Sequence, residues 1–159
     1  GLNRDVTIRD IVSTYIYPNT LKTLCVTRAQ LKCALERSAE YFAIDADGKL
    51  KVSESFLTPI EQHFNYDYFS GIEAAFDIRR SVGDRVVSIK YKGEELSGDK
   101  RLTLCMNNSR ASGAGRYDIY RQCQTVRELP TEIAELIIAY VDKHRNITVD
   151  KHKWLKLIY

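Results

Sequence analysis

Apolar positions recur at helical spacing in some stretches of this chain and at every second residue in others, and the change of period divides it into elements. A short amphipathic run predicts a helix over 7–16, and a β-branched run predicts a strand over 20–26. Thr27-x-x-Gln30 then reads as a capping box. It opens a helix to about residue 42, with Leu31, Ala34, Leu35, Ala39 and Phe42 on one face. Residues 45–48 read as a turn and 50–69 as an irregular, aromatic-rich loop. Strands are expected over 73–78, 85–91 and 101–106, joined by turns at Val82-Gly83-Asp84 and Lys92-Gly93. Pro130 and the stripe Ile133, Leu136, Ile137, Tyr140 and Val141 predict a last helix. Two short β-rich segments, 146–149 and 153–158, follow it. Helices and strands mix without βαβ repetition, so the fold class is α+β, with a mixed or antiparallel sheet flanked by helices.

Composition changes this picture little. A chain of 159 residues, 44% apolar and 28% charged, suits one domain over 1–159. No run approaches the ~20 apolar residues of a membrane span. The net charge of +3 is spread along the chain and offers no face for a nucleic-acid polymer. The first residue is Gly1 and no signal peptide is present, which reads as a processed piece of a longer protein. Four widely separated cysteines contain no C-x-x-C pair, against a zinc cage. Cys25 and Cys105 fall in strand-like runs and are expected as buried thiols, with a disulfide left open. Asp45-Ala46-Asp47-Gly48 begins like a calcium loop but lacks its remaining ligands.

Two places carry candidate chemistry. The stretch from Asn107 to Asp118 sets Gly113 and Gly115 among small residues, between a strand and Tyr117. Glycine permits tight backbone and close approach. The loop reads either as a plain surface turn or as a hinge that holds Tyr117 out as a flat platform. Asn107 and Asn108 read as bracing residues. Near the amino end, Pro18 stops the helix and leaves Tyr17 at a helix-to-strand corner beside Asn19, which can both donate and accept.

Three motifs occur in one order: Tyr17-Pro18-Asn19-Thr20-Leu21, then Phe64 to Ile72 (FNYDYFSGI), then Asn107-Asn108-x-Arg110-Ala111-Ser112-Gly113. Over almost the whole chain they resemble the carboxy-terminal, substrate-binding domain of the 5'-nucleotidase family, in its bacterial 2',3'-cyclic-nucleotide 2'-phosphodiesterase/3'-nucleotidase branch. The resemblance implies a slot for nucleosides and nucleotides. Tyr17 and Tyr117 would be its stacking walls, Asn19 would bond the base, and Asp118 a ribose hydroxyl. Phe64 or Asn65 would line the pocket, and Gly113 and Gly115 would shape the loop. Arg110 is expected either to face phosphate or to pin the loop by bonding backbone carbonyls. Arg116 stands where the family loop usually has another glycine.

The resemblance also implies that two divalent metal ions belong to an amino-terminal metallophosphoesterase domain outside this sequence, and that no cofactor sits in this domain. The parent is expected outside the cell, in the periplasm or at the cell wall. None of His63, His144 and His152 lies in a ligand pattern, so this chain is expected to bind substrate and not to catalyse alone. Two other readings compete. One is an enzyme using Cys123 as a thiol nucleophile between Arg121 and Arg127. The other is an interaction domain whose aromatic loops bury against another protein.

Overall fold

The computed structural model describes residues 4–159. Thr7 caps α1 (Ile8–Thr14) through a capping box with Asp10. Strand β1 (Thr20–Thr27) follows and leads directly into α2 (Arg28–Ala39). The Thr27 hydroxyl accepts the Gln30 N–H at 3.3 Å, and the Gln30 side chain accepts the Thr27 N–H at 2.9 Å. The expected box is therefore real and satisfies amides that a helix start leaves free. The helix is shorter than its apolar stripe suggests. It ends at Ala39, and Phe42 belongs to β2 (Phe42–Ile44), which forms a hairpin with β3 (Leu50–Val52). The 45–48 turn closes that hairpin, with Asp45 Oδ1 accepting the Asp47 and Lys49 amides, a role that needs no calcium.

Strands β4 (Glu73–Asp77), β5 (Val86–Tyr91), β6 (Glu94–Glu95) and β7 (Arg101–Asn107) come next. The one-turn α3 (Asn108–Ala111) leads through two 3-10 turns to β8 (Gln124–Glu132), α4 (Ile133–His144) and β9 (Leu155–Ile158). Pro130 thus lies inside a strand, and residues 146–149 form none. Three sheets result, ordered β7-β1-β8, β2-β3 and β6-β5-β4-β9. All ladders are antiparallel except β4–β9. This is the α+β class expected.

Helix α2 packs against both β1 and β5. Leu24 and Val26 of β1, Leu31 and Leu35 of α2, and Phe76 and Ile89 of the four-stranded sheet form a continuous core. Each such side chain contributes about 1.5–3 kcal/mol by leaving water. Strand alternation sends Leu24 and Val26 inward, so Cys25 and its neighbour across the ladder, Thr103, take the outer face with Cys105. The expectation of two buried thiols is corrected: Cys25 is half-buried, Cys105 is exposed, and all four cysteines are free.

Buried polar groups tie the layers together. The Glu36 carboxylate accepts the backbone amides of Arg85 and Val86, both at 2.9 Å. Arg85 Nη1 in turn donates to the carbonyls of Ala39 and Phe42, at the open end of α2. A cation there also meets the negative pole of the helix favourably.

Candidate functional site

At the amino corner, Pro18 centres a tight turn in which the Asn19 amide donates to the Tyr17 carbonyl at 2.8 Å. The turn leaves Tyr17 60% exposed, as the sequence implied. The Asn19 carbonyl is anchored by the first amide of α4, Ile133 N–H, at 2.8 Å. Asn19 Nδ2 lies 3.4 Å from the Tyr15 hydroxyl, and its Oδ1 accepts no hydrogen bond among the described residues. Corner and glycine loop are joined by one bond: the Thr20 amide donates to Asn108 Oδ1 at 3.2 Å. Asn107 caps α3 by accepting the Arg110 amide at 2.6 Å. Both asparagines brace the loop, and Asn108 and Ser109 are thereby set beside the Asn19 corner.

Tyr117 does not stand where the stacking reading puts it. It is 1% exposed, and its hydroxyl bonds the Ser38 hydroxyl at 2.8 Å and accepts the Asp67 amide at 3.1 Å. The Tyr120 ring lies parallel to it with centroids 5.7 Å apart, and the Arg110 guanidinium carbon sits 4.5 Å from its centroid. Burial, with the Asp67 charge adding to it, pushes the Tyr117 phenol up to about 12. The expected exposed wall is a core tyrosine, because α2 offers it a hydroxyl partner and Arg110 covers its ring.

Arg110 takes the bracing role of its two expected ones. Only 9% exposed, it bonds Asp67 at 2.9 Å and donates to the carbonyls of Ala114 and, at 3.0 Å, Phe64. Each of its three guanidinium nitrogens is thereby engaged in bracing the loop. Gly115 crosses directly over it at φ +73°. A Cβ there would collide with Arg110 Nη1 and lie 2.6 Å from Asn65 Oδ1. Gly113, at φ +93°, would place a Cβ 2.7 Å from Arg121 Nε. Asn65 therefore packs under the glycine loop, its Nδ2 donating to Gln62 at 2.8 Å, while the neighbouring Phe64 ring is 70% exposed. Asp118 is exposed and paired with Arg121 at 3.3 Å. It lines a cleft against α2 with Arg28, Lys32 and Arg116, and Tyr17 is not part of that cleft.

The candidate residues thus fall into three groups: Tyr17 and Asn19 at the corner, Asn65, Arg110, Gly113 and Gly115 in one braced loop, and Asp118 on the α2 side. Sequence reasoning missed Ser38 and Asp67, the partners that bury Tyr117; both are far from it in the chain and carry no local signal.

The other chemistries find no support in the geometry. Burial raises the Cys123 thiol above its ordinary value, and its Sγ donates to the Ile119 carbonyl at 3.5 Å, the reverse of an activated nucleophile. His63 meets the Tyr41 hydroxyl, His144 the Tyr140 carbonyl, and His152 the Glu73 carboxylate. Among the described residues no three metal-ligating side chains converge, so this donor set does not fit a two-metal centre.

Residues 2–122 match the model of the family described as 5'-nucleotidase, C-terminal domain. Among curated proteins, the chain is 29% identical to a Haemophilus influenzae 2',3'-cyclic-nucleotide 2'-phosphodiesterase/3'-nucleotidase, over 68% of this chain and 18% of that protein. It is 21% identical to a trifunctional nucleotide phosphoesterase of Bacillus subtilis, over 90% of this chain and 10% of that protein. A Staphylococcus aureus structure described as a 5'-nucleotidase in complex with alpha-ketoglutarate superposes on all of this chain with a TM-score of 0.92 and 36% identity. The chain covers 31% of that structure, and so spans a third or less of each of these relatives. The fold is also that of a Haemophilus influenzae NAD nucleotidase, at a TM-score of 0.72 and 19% identity over 96% of this chain and 26% of the other.

Proposed function

The chain belongs to the 5'-nucleotidase C-terminal domain family, and from that premise we propose that it recognises the nucleoside part of a nucleotide substrate for a phosphohydrolase of which it is one domain. The observation that carries this reading is the corner at Tyr17. An exposed ring stands on a rigid Pro18 turn beside an asparagine whose Oδ1 accepts no hydrogen bond among the described residues. A flat ring and a neighbouring amide are the two groups needed to stack a base and bond its edge. Stacking of this kind contributes about 1–3 kcal/mol per base. With Tyr117 buried, the ring of Tyr17 works from one side, and the polar residues Asn108 and Ser109, set beside Asn19, border the base.

The task of this domain is positioning. Holding the nucleoside fixed presents its phosphate to a catalytic domain, and such orientation can supply a large share of rate acceleration. Two divalent ions on that other domain would activate water and stabilise the displaced oxygen. Arg110 is engaged within the loop, so phosphate affinity in this reading also comes from the other domain.

The test is a titration of adenosine and of 3'-AMP into the 15N-labelled chain. Saturable shifts are expected at residues 17–19 and 108–109. Tyr17→Ala should weaken binding by about 1–3 kcal/mol, and Tyr17→Phe should leave it nearly unchanged. Equal affinity in wild type and Tyr17→Ala would remove the corner from the site.

A further inference from the structure

We propose that the free edge of β7 and the segment 66–70 facing it form a slot for one strand of an acidic peptide supplied by another protein. The slot is a cleft of about 460 Å³, a size at which ligands are commonly held. One wall is residues 103–107, the outer edge of β7, and the other is residues 66–70. Tyr120 and Arg110 also line it. The Arg110–Asp67 ion pair sets the 66 end of one wall near the 107 end of the other, and walls running on side by side from that point would be antiparallel. A strand between them would be antiparallel to one and parallel to the other. The four-stranded sheet already does this at β4, between antiparallel β5 and parallel β9.

Both walls offer unpaired backbone. Every second residue of a strand turns its N–H and C=O to the side away from its partner. For β7 that side has no strand, since the sheet order is β7-β1-β8. On the facing wall, the amides of Tyr68, Phe69 and Ser70 donate to nothing among the described residues. The Tyr120 hydroxyl is buried and has no partner among the described residues. Backbone groups open to the cleft are free to pair, and a strand added between the walls would take up the backbone on both sides.

The opposite edge of the same sheet is built differently. β8 carries Pro130, two irregularities in its pairing with β1, and the charges Arg127, Glu128 and Glu132. These are the devices that keep an edge from pairing. β7 pairs with β1 in unbroken register, contains no proline, and has Arg101 as its one charge. Arg101 is exposed at the 103 end of the slot and has no acidic partner among the described residues. The one carboxylate lining the slot, Asp67, is already neutralised by Arg110. A strand bearing a carboxylate at the Arg101 end complements that charge.

The test uses the full 15N-labelled chain and three capped peptides. The first alternates valine and threonine and ends in glutamate. The second is the same peptide N-methylated at alternate residues, and the third ends in lysine. The glutamate peptide should shift amides on both walls, at 68–70 and 103–107, saturably, and N-methylation should abolish this. Arg101→Glu should weaken the glutamate peptide about two- to fivefold and leave the lysine peptide no weaker. The proposal is overturned by an absence of shifts at millimolar peptide, or by equal binding of the N-methylated form. It is also overturned if the wall amides shift with protein concentration alone, which would make the occupant a second copy of this chain.

Discussion

Two tyrosines, each next to a backbone breaker, meet opposite fates in this molecule. Tyr17 follows a helix and precedes Pro18, and its ring ends up in solvent; Tyr117 follows two glycines and is almost completely enclosed. Locally the two signals look alike, an aromatic held on a sharp turn. What separates them is what lies underneath. The Tyr17 corner is tied through its backbone, by its own turn and by the Asn19 carbonyl accepting the first amide of α4. Below Tyr117 lie the Ser38 hydroxyl, the Asp67 amide and the Arg110 guanidinium, which together supply polar partners and a cover. A turn can present a ring, but the surface beneath it determines whether the ring stays presented.

The strongest way to break this comparison is to remove each ring in turn. Tyr117→Ala should cost about 3–5 kcal/mol in urea unfolding, as expected for emptying a fully buried aromatic site. Tyr17→Ala should change stability by less than about 0.5 kcal/mol. Similar costs for the two would mean that the corner ring is packed in solution.

Gly115→Ala comes next. A left-handed backbone strains an ordinary residue by about 1–3 kcal/mol, and the added Cβ would also collide with Arg110 Nη1. The expected result is a lower urea midpoint together with amide shifts at Asp67 and Phe64, the groups Arg110 holds. A midpoint unchanged from wild type would show that the loop does not need its close crossing.

Most of the framework was legible, for reasons particular residues show. The Thr27/Gln30 box and the alternation through Leu24 and Val26 are local patterns, and both are present in the structure. The β2–β3 hairpin escaped because strands of three residues carry too little alternation to register. Pro130 misled because proline is read as a helix marker, whereas here it sits in an irregular edge strand where a missing amide is tolerated. At the site, the exposure of Tyr17 follows from Pro18 alone. The burial of Tyr117 depends on Arg110 meeting Asp67 across 43 residues of sequence, a tertiary event with no local trace.

The Tyr117 hydroxyl sharpens the contrast through pH. Tyr117→Phe should cost about 1–3 kcal/mol, because the Ser38 hydroxyl and the Asp67 amide lose their partner. In the wild type the folded phenol lies at about 12, above the ordinary value near ~10, because burial disfavours the charged form. The folded state holds this proton more tightly than the unfolded one. The stabilisation is therefore whole below the unfolded value and is lost as pH rises through about 12. Urea midpoints from neutral pH upward should fall over that alkaline window, and less steeply in Tyr117→Phe. An identical alkaline slope in both proteins would assign the loss to other groups.

The smallest effect is at Arg116, at the seam between the glycine turns and Tyr117. Its φ of +70° is one an L side chain rarely adopts. Holding a side chain in that region costs about 1–2 kcal/mol. Glycine would relieve it but lose about 0.5–1 kcal/mol through the greater freedom of the unfolded chain. The ion pair Arg116 makes with Glu40, at 3.7 Å on the surface, is worth at most about 1 kcal/mol. Arg116→Gly should therefore shift stability by no more than about 1 kcal/mol in either direction and be at least as stable as Arg116→Ala, which keeps the strain and also loses the pair. If glycine proves the worse of the two, the left-handed backbone at this position carries no strain for a side chain, since both variants lose the Glu40 pair alike.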